Sequence, residues 1–232
     1  MNSYLVCGCK PWNRRVFDEV ISKLPGDWYY FGEGDGLDGD HDIEPLVAAI
    51  EPRYIFFLHW SWMVPPEVYE NYECVNFHMT DLPYGRGGSP LQNLITSNHY
   101  RTVVTAHRMV GEVDAGPVYM RQPLTLDGTA ESIYIRATEV SASIIEIMTR
   151  PDRDIVPTPQ EGAPVYFTRR TPAQSVLPDN ATLDHVHDHI RMLDAEGYPR
   201  AFIDYGDLRL EFHRAARYDG RIEASVTIRE KK

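Results

Sequence analysis

The sequence predicts a protein of the α/β class: a Rossmann-like, doubly wound and mostly parallel sheet, followed by a short C-terminal helix and an antiparallel β-meander. Three observations lead to this prediction. Apolar runs alternate with helical spacing over the first 60 residues, which is typical of strand–helix–strand units. The run YIFFL (54–58) is continuously apolar, as in a strand with both faces covered. Residues 201–228 instead alternate apolar and polar side chains, as in a half-exposed antiparallel sheet.

The predicted elements of the sheet follow one another at clear boundaries. Helical spacing in the first long segment stops at Pro25-Gly26, and the acidic, Gly-rich tract GEGDGLDGDHD (32–42) is predicted to be a loop. The N-terminal elements are, in order, a strand at 4–9, a helix at 12–24, a strand at 28–31, a helix at 43–50 and a strand at 54–58. The next are a strand at 73–77, a loop at 78–90, a helix from Pro90, strands at 102–107 and 118–124, and a helix at 131–149.

Composition changes after the last of these helices. Six prolines and little periodicity indicate an ordered linker in the following segment. A helix at 180–194, opened by Asp179 or Asn180, then begins a small α+β subdomain. Its strands, separated by the hairpin signals Gly206-Asp207 and Asp219-Gly220, are predicted at 201–205, 208–213 and 222–228. The predicted division of the chain is therefore a first domain over 1–150, a Pro-rich linker over 151–178 and a C-terminal subdomain over 179–232.

Composition and charge limit the classes of function. The 232 residues include 23 Lys and Arg against 34 Asp and Glu, a net charge of −11, which argues against broad contact with nucleic-acid phosphates. There is no run of 18 or more apolar residues and no charged start followed by an apolar stretch, so neither a membrane span nor a secretory signal is expected. The three cysteines are few and odd in number, which suggests a reducing compartment; the predicted location is cytoplasmic.

The stretch VNFHMTDLPYGRGGSP, residues 75–90, carries the most chemical information. Asn76 and His78 lie two apart at the end of a predicted strand, so their side chains leave the same face, at the sheet edge where such folds bind ligands. An amide that donates to a developing oxyanion and an imidazole that takes up a proton suit acyl transfer. Arg86 lies between two glycines in the loop behind them. Asp114, in a Gly-flanked turn, is suited to orient the imidazole or to hold a water.

Other candidate sites are better explained as ordinary structure. His185, His187 and His189 suggest a metal, but on a helix the middle residue points away from the other two, so three ligands do not converge. The tract at 32–42 lacks the bidentate Glu of an EF-hand loop, and its GEGDG does not open a helix as a dinucleotide fingerprint must. No metal site is therefore predicted. The acidic side chains weighed for calcium are Asp35, Asp38, Asp40 and Asp42.

Taken together, the motifs resemble the formyltransferase family that uses 10-formyltetrahydrofolate. Family members share an Asn-x-His pair, an LP-x-x-RG loop and a VD-x-GP turn, which here are residues 76–78, 82–87 and 113–117. His107, seven residues before the aspartate, also fits the family layout. The resemblance implies that the first domain is a Rossmann-like catalytic domain and that 10-formyltetrahydrofolate is the co-substrate. The implied catalytic set is Asn76, His78 and Asp114.

The resemblance also implies where the folate binds. The family holds the pterin largely through the backbone of two loops, which here are Trp60–Met63, after the YIFFL strand, and Val110–Val113. The two tryptophans suit the walls of a site for a flat ring, because aromatic side chains supply contact area at low entropic cost. The expected cofactor-binding residues are Trp60, Ser61, Trp62, Met63, Val110, Gly111, Glu112 and Val113.

Within the family, the chain is most similar to the sugar-nucleotide N-formyltransferases of surface-glycan biosynthesis, through YGRGGSPLQNLI (84–95) and YFTRRTP (166–172). The implied acceptor is the amine of a dTDP- or UDP-linked amino sugar, with no nucleic-acid partner. Adjacent arginines and aromatic residues in the second segment suit a diphosphate and a base. The expected substrate-binding residues are Lys10, Tyr84, Arg86, Tyr166, Arg169 and Arg170. The predicted meander has an edge strand that is able to pair across a two-fold axis, so a homodimer is possible.

Three other functions stay open at this point. A methionyl-tRNA formyltransferase would share the catalytic set, but the negative charge argues against it. So does the short tail, where IRMLDAEGYPRAF (190–202) resembles only the opening of the family's C-terminal domain. A hydrolase that gives the formyl group to water would need no nucleotide pocket, so Arg169 and Arg170 would be dispensable. A non-catalytic folate-binding module would bind the cofactor without consuming it.

Overall fold

The computed structural model describes residues 2–32 and 42–231, which fall into two compact units, each built from several stretches of the chain. The first unit lies within residues 1–86, 102–124 and 135–166, and the second within 87–101, 125–134 and 167–232. The division into 1–150, 151–178 and 179–232 stays a prediction. Most of the acidic tract weighed as a calcium loop, including Asp35, Asp38 and Asp40, lies outside the described residues.

The first unit is built on a six-stranded, mostly parallel sheet, so the predicted fold class is confirmed. The strands are β1 (Ser3–Gly8), β2 (Asp27–Gly32), β3 (Tyr54–Leu58), β4 (Cys74–His78), β6 (Arg101–Arg108) and β7 (Val118–Thr125). Their order across the sheet is β2-β1-β3-β4-β6-β7. In chain order, the helices that follow these strands are α1 (Pro11–Glu19), α2 (Glu44–Ile50), α3 (Pro66–Tyr69), α4 (Pro90–Thr96) and α5 (Ala130–Thr149). Helix α4 and the first residues of α5 belong to the second unit.

Strand β3 lies at the centre of the core. All five of its residues are buried, and it pairs in parallel with β1 on one side and β4 on the other. This is what the continuous apolar run YIFFL predicts, because a strand covered on both faces has no solvent-facing positions. The ring of Phe56 lies 5.5 Å from that of Tyr54 and 6.2 Å from those of Trp28 and Phe77. The rigid centre of the sheet is thus largely aromatic.

The direction of the strands determines where a site can form. Because β1, β3 and β4 are parallel, the residues that follow them meet at one edge of the sheet, where open α/β sheets bind ligands. Strand β6 runs antiparallel to β4, with Asn76 opposite His107 and His78 opposite Thr105. Strand β6 therefore ends beside the first residues of β4, with Arg108 opposite Val75, and the turn that carries Asp114 begins there.

The second unit contains the C-terminal meander, a three-stranded antiparallel sheet in the order β11-β10-β9. Its strands are β9 (Ala201–Tyr205), β10 (Leu208–Tyr218) and β11 (Arg221–Glu230), so both predicted hairpin turns are correct. The helix before them, α6 (Leu183–Arg191), is shorter than predicted. Its N-cap is Thr182, whose hydroxyl accepts a hydrogen bond from the His185 backbone N–H at 3.3 Å; the expectation of Asp179 or Asn180 as the cap is wrong.

Two further strands lie in segments that the sequence assigns to loop and linker. Strand β5 (Tyr84–Gly87) pairs with β8 (Val165–Phe167). Gly87 has φ of +102°, and a Cβ on it would approach the Phe167 carbonyl oxygen to 2.6 Å. Only glycine tolerates both the positive φ and this approach. Gly- and Pro-rich segments read as loops, and a pairing between residues so far apart leaves no local periodicity to reveal it.

Two of the three cysteines behave as small apolar residues. Cys7 and Cys74 are both free and fully buried. Burial raises the pKa of Cys7 well above its ordinary value and that of Cys74 to about 12, so both remain uncharged thiols in the core. Within residues 2–32 and 42–231, no helix is both long and apolar enough to cross a membrane.

Phe56→Ala is expected to lower the free energy of unfolding by about 3–5 kcal/mol, because it leaves a cavity at a fully buried position among three aromatic rings. The measurement is urea denaturation followed by circular dichroism. Tyr29→Ala, at a position 44% exposed, is the matched control and should cost less than about 1 kcal/mol. Equal losses in the two variants would show that the core is not centred on β3.

Candidate functional site

Two of the predicted catalytic side chains lie on one strand. Asn76 and His78 are the third and last residues of β4, two positions apart and therefore on the same face. Asn76 is opposite Phe57 on β3 and opposite His107 on β6. His78 is 7% exposed and His107 is 2% exposed. Strand pairing on both sides thus holds Asn76, which is half-buried, and both histidines are shielded from water.

The third side chain, Asp114, comes from a turn between β6 and β7. Its φ is +52°, in the left-handed region that non-glycine residues seldom adopt, with aspartate among the exceptions. Gly116 packs so closely that a Cβ there would lie 1.8 Å from the Arg108 carbonyl oxygen. The Arg108 backbone N–H donates to the Pro117 carbonyl at 2.8 Å. The turn therefore folds back tightly on the end of β6.

Asp114 brings the site together. Its Oδ2 lies 3.5 Å from His78 Nδ1, and its Oδ1 accepts a hydrogen bond from Asn76 Nδ2 at 3.3 Å. Oδ1 also lies 3.5 Å from His107 Nε2. The side chains that the sequence singles out in two distant segments are thus in contact around one buried carboxylate, whose side chain is 9% exposed.

Hydrogen bonds determine the tautomers of both histidines. His78 Nε2 lies 2.8 Å from the Gly85 carbonyl oxygen, which only accepts, so Nε2 carries a proton and Nδ1 is the basic atom of the neutral ring. His107 Nδ1 likewise donates to the Arg108 carbonyl at 3.0 Å. Its Nε2 is therefore free to accept from Asn76 Nδ2 at 3.3 Å. The Asn76 amide nitrogen faces two acceptors, which fixes the orientation of that amide.

Burial sets the charge of His78. It lowers the pKa of this imidazole from the ordinary value of 6.5, because the buried cation loses its hydration. The Asp114 carboxylate and the Gly85 carbonyl raise the pKa, and His107 lowers it, but burial is the largest influence. At pH 7 the ring is therefore mainly neutral, with its basic Nδ1 directed at Asp114. A proton taken up there is stabilised by the carboxylate.

The two loops predicted to bind a cofactor flank one apolar cluster of the first unit. Trp60 packs against that cluster, and so do Met109, just before the second loop, and Tyr69. A Cβ on Gly111 would lie 3.4 Å from the Tyr69 hydroxyl. The two loops also carry exposed apolar side chains: Trp62 is 38% exposed, Met63 84% and Val113 55%. Partly exposed apolar side chains at the sheet edge fit a flat aromatic ligand.

Arg86 is the most enclosed of the predicted substrate-binding residues. It is 9% exposed, and its Nη1 donates to Glu112 at 3.0 Å while Nε and Nη2 donate to Gln160 Oε1 at 3.1 and 2.8 Å. The Tyr166 hydroxyl also donates to Glu112 at 2.9 Å. Tyr84 is the first residue of β5, two residues before Arg86. Arg86 is thus already engaged by side chains of its own unit.

The remaining predicted residues lie elsewhere. Lys10 caps α1, and its charge, together with the larger effect of burial, lowers the pKa of His59 to about 4. Arg169 and Arg170 belong to the second unit. There the Arg170 backbone N–H donates to Ser89 at 3.0 Å, and its guanidinium donates to the Gln174 carbonyl. No cluster of three or more His, Cys, Asp and Glu suited to a metal occurs in the described part of the chain.

Two functional groups of the site escape sequence reasoning altogether. Gln160 lies in the Pro-rich segment read as a linker, where a single glutamine carries no signal. The Gly85 carbonyl, which fixes the His78 tautomer, is a backbone group and leaves no trace in the sequence. The sequence indicates His107 only through its spacing from Asp114, whereas in the structure its Nε2 lies 3.3 Å from Asn76 Nδ2 and 3.5 Å from Asp114 Oδ1.

Comparison with known proteins gives consistent descriptions. A family model described as the methionyl-tRNA formyltransferase C-terminal domain matches residues 172–229. A solved structure described as methionyl-tRNA formyltransferase from Clostridium thermocellum is 40% identical, with 100% of each chain covered and a TM-score of 0.90. A methionyl-tRNA formyltransferase of Bacillus mycoides is 29% identical over 163 residues, 67% of this chain and 52% of that relative. Matches to the curated relatives span between 35% and 56% of their length.

These comparisons correct the sequence-based choice of acceptor. The prediction of a nucleotide-linked amino sugar, without nucleic acid, is wrong, because the close relatives carry the name methionyl-tRNA formyltransferase. A 4-N formyltransferase from Francisella tularensis is only 14% identical, and a formyltransferase from Anoxybacillus kamchatkensis solved with a UDP-linked sugar is 18% identical. Likeness at that level reflects the shared fold. Similarity in short loops, such as residues 84–95, does not separate the branches.

The pKa of His78 is expected to lie below 6.5 and to fall further in Asp114→Asn. The asparagine removes the negative charge 3.5 Å from Nδ1 that stabilises the imidazolium. The measurement is an NMR titration of the histidine rings, with His78→Asn to assign the signal. Asp18→Asn, which removes an exposed carboxylate paired with Arg14, is the control and should leave the pKa unchanged. A higher pKa in Asp114→Asn would contradict the geometry.

Proposed function

Since the chain belongs to the 10-formyltetrahydrofolate-dependent formyltransferase family, we propose that it transfers a formyl group from 10-formyltetrahydrofolate to the amino group of methionyl-tRNA. 10-Formyltetrahydrofolate is the formyl donor of this family. The observation that carries the proposal is the convergence of Asn76 and His78 on Asp114 at the sheet edge. An amide donor and a buried neutral imidazole backed by a carboxylate are the groups that acyl transfer to an amine requires.

In the proposed reaction the amine forms a bond to the formyl carbon, and the bond from that carbon to the folate nitrogen breaks. His78 takes up the proton that the attacking amine loses, at Nδ1, and the leaving folate nitrogen gains a proton in return. Asp114 stabilises the imidazolium from 3.5 Å while the Gly85 carbonyl holds Nε2–H. The groups that stabilise the positive charge on the ring, the Asp114 carboxylate and the Gly85 carbonyl, are therefore in place before the reaction begins.

The proposed role of Asn76 is to donate a hydrogen bond to the formyl oxygen, which gains negative charge during the reaction. Its amide nitrogen faces Asp114 and His107, both at 3.3 Å, and these are long for hydrogen bonds. Redirecting one N–H from a long contact to an oxyanion costs little and gains a charge-assisted hydrogen bond. The two contacts thus orient the Asn76 amide without preventing it from donating to the oxyanion.

The chemistry of the side chains also fits the donor. 10-Formyltetrahydrofolate supplies an activated formyl group on a flat pterin-bearing molecule. The loops at 60–63 and 110–113 offer backbone amides and carbonyls together with partly exposed apolar side chains. The proposed division of labour is that these loops bind the donor and that β4 and the Asp114 turn act on its formyl group.

The proposal of methionyl-tRNA as acceptor rests on the names of the similar proteins. The distribution of charged residues along this chain is compatible with it. Residues 167–232 contain 11 Lys and Arg against 11 Asp and Glu. The surplus of 11 acidic groups in the whole chain therefore falls in residues 1–166, whereas the segment matched by the family model, residues 172–229, contains 7 Lys and Arg against 10 Asp and Glu. A neutral tail makes few net phosphate contacts, so the dependence of tRNA affinity on salt is expected to be shallow.

The purified chain, given methionyl-tRNA and 10-formyltetrahydrofolate, is expected to form formylmethionyl-tRNA. His78→Asn should lower kcat about 10²–10⁴-fold through loss of the base, and Asn76→Ala about 10²–10³-fold through loss of the donor. The measurement is acid-gel or mass-spectrometric detection of the formylated aminoacyl-tRNA. His185→Asn, an exposed histidine on α6, is the matched control and should keep kcat.

Other outcomes of the same assay would contradict the proposal. Release of formate without formylated tRNA would indicate a hydrolase. Folate binding without any consumption, with methionyl-tRNA present, would indicate a binding module. Wild-type turnover in His78→Asn would remove the assigned base.

The acid limb of kcat/KM is expected to follow the pKa of His78. The reactive form is the neutral ring, so the rate should fall as the pH drops through this pKa, which lies below 6.5. A rate profile with stopped-flow detection of tetrahydrofolate, compared with the NMR titration, checks the match. An acid limb above pH 7 would assign the base to another group.

A further inference from the structure

We propose that Gln160 is a positioning residue: its side-chain amide holds the Asp114 turn so that the carboxylate faces His78 and Asn76. The catalytic consequence rests on the proposed formyl transfer, whereas the effect on the geometry of the site does not. Gln160 touches none of the three predicted catalytic side chains directly. It acts on the backbone that carries one of them.

The contacts of the amide nitrogen are specific. Gln160 Nε2 donates to the Asp114 carbonyl and to the Gly116 carbonyl, both at 2.8 Å. These two carbonyls lie on either side of the tight point of the turn, so one NH₂ group closes it. Both bonds have short, unstrained lengths for N–H···O contacts.

The backbone conformation of the Asp114 turn is one that benefits from an additional contact. The Asp114 backbone is in the left-handed region, with φ of +52°, which offers most residues less room than the other allowed regions. Its carboxylate must also lie among three polar side chains, at 3.3 to 3.5 Å from each. A small rotation of this backbone would carry the carboxylate away from His78.

Arg86 fixes the direction in which the Gln160 amide points. Gln160 Oε1 accepts from Arg86 Nε and Nη2, and Arg86 Nη1 donates to Glu112. A guanidinium only donates, so the oxygen of Gln160 must face it and the NH₂ group must face the turn. The β5 loop and the Asp114 turn are thereby joined through one side chain.

The segment that carries Gln160 is itself anchored. Two residues earlier, Thr158 pairs with Val118 at the start of β7, with N–O distances of 2.7 and 2.8 Å in the two directions. Gln160 therefore reaches the turn from a backbone fixed to the sheet. A residue in a free linker would lose much of this effect to its own conformational entropy.

Two substitutions separate the proposed role from simple packing. Gln160→Met keeps the size of the side chain and removes both hydrogen-bonding groups. Gln160→Glu keeps an acceptor for Arg86 but has no N–H to give to the two carbonyls. The proposal expects kcat to fall in both variants, by about 100-fold, because the misplaced carboxylate is near the reacting groups. The KM for 10-formyltetrahydrofolate should change less than about 3-fold in both.

The decisive measurement does not depend on turnover. The groups that face His78 are Asp114 and His107 together with the Gly85 carbonyl. If Gln160→Met lets the Asp114 carboxylate withdraw, the His78 pKa should fall toward the value in Asp114→Asn. An NMR titration of the folded protein, with thermal unfolding to verify folding, reads this directly. Gln122→Met on β7 is the control and should leave both pKa and kcat unchanged.

The outcomes are distinct. A lowered His78 pKa in Gln160→Met supports the positioning role even if methionyl-tRNA is not the acceptor. An unchanged pKa in a folded Gln160→Met overturns it. Wild-type kcat in Gln160→Glu would show that only the bonds to Arg86 matter and would also overturn it.

Discussion

A single buried carboxylate organises the candidate site. An ionised carboxylate that leaves water is stable only when other groups replace its hydration. Asp114 accepts a hydrogen bond from the Asn76 amide, and its oxygens lie 3.5 Å from ring nitrogens of His78 and His107. The bond that helps to offset the cost of burying the charge also orients the amide, and a proton taken up by His78 adds a second stabilising contact. In this site, the requirements of stability and of chemistry are therefore met by one set of contacts.

The sheet supplies these partners through a change of strand direction. Parallel strands bring the ends of β1, β3 and β4 to one edge, and the antiparallel β6 then sets His107 directly opposite Asn76. The turn after β6 then carries Asp114 back to the side chains of Asn76 and His78 on β4. Two distant sequence motifs thus meet because β6 lies directly beside β4.

Local patterns predicted much of this molecule. The apolar run at 54–58 and the hairpin signals correspond to observed elements, and the motifs around Asn76 and Asp114 pointed to side chains that do meet. What failed depends on distant partners: the pairing of β5 with β8 and the clamp from Gln160 leave no periodicity in the chain. The predicted acceptor is wrong because it rests on similarity in two short segments, 84–95 and 166–172, which does not separate the branches of the family. The net charge of −11 for the whole chain also hides the neutral balance of residues 167–232.

The interleaving of the two units has a consequence for dissecting the protein. In the second unit, Gln92 donates to Tyr134 and to the Met192 carbonyl, and Arg191 donates to the carbonyls of Leu126 and Gly128. A fragment beginning near residue 172, where the family match starts, would lack the three partners Gln92, Leu126 and Gly128. The tail is therefore not a transplantable module, and recombination between relatives at that boundary would separate side chains from the carbonyls they were selected to satisfy.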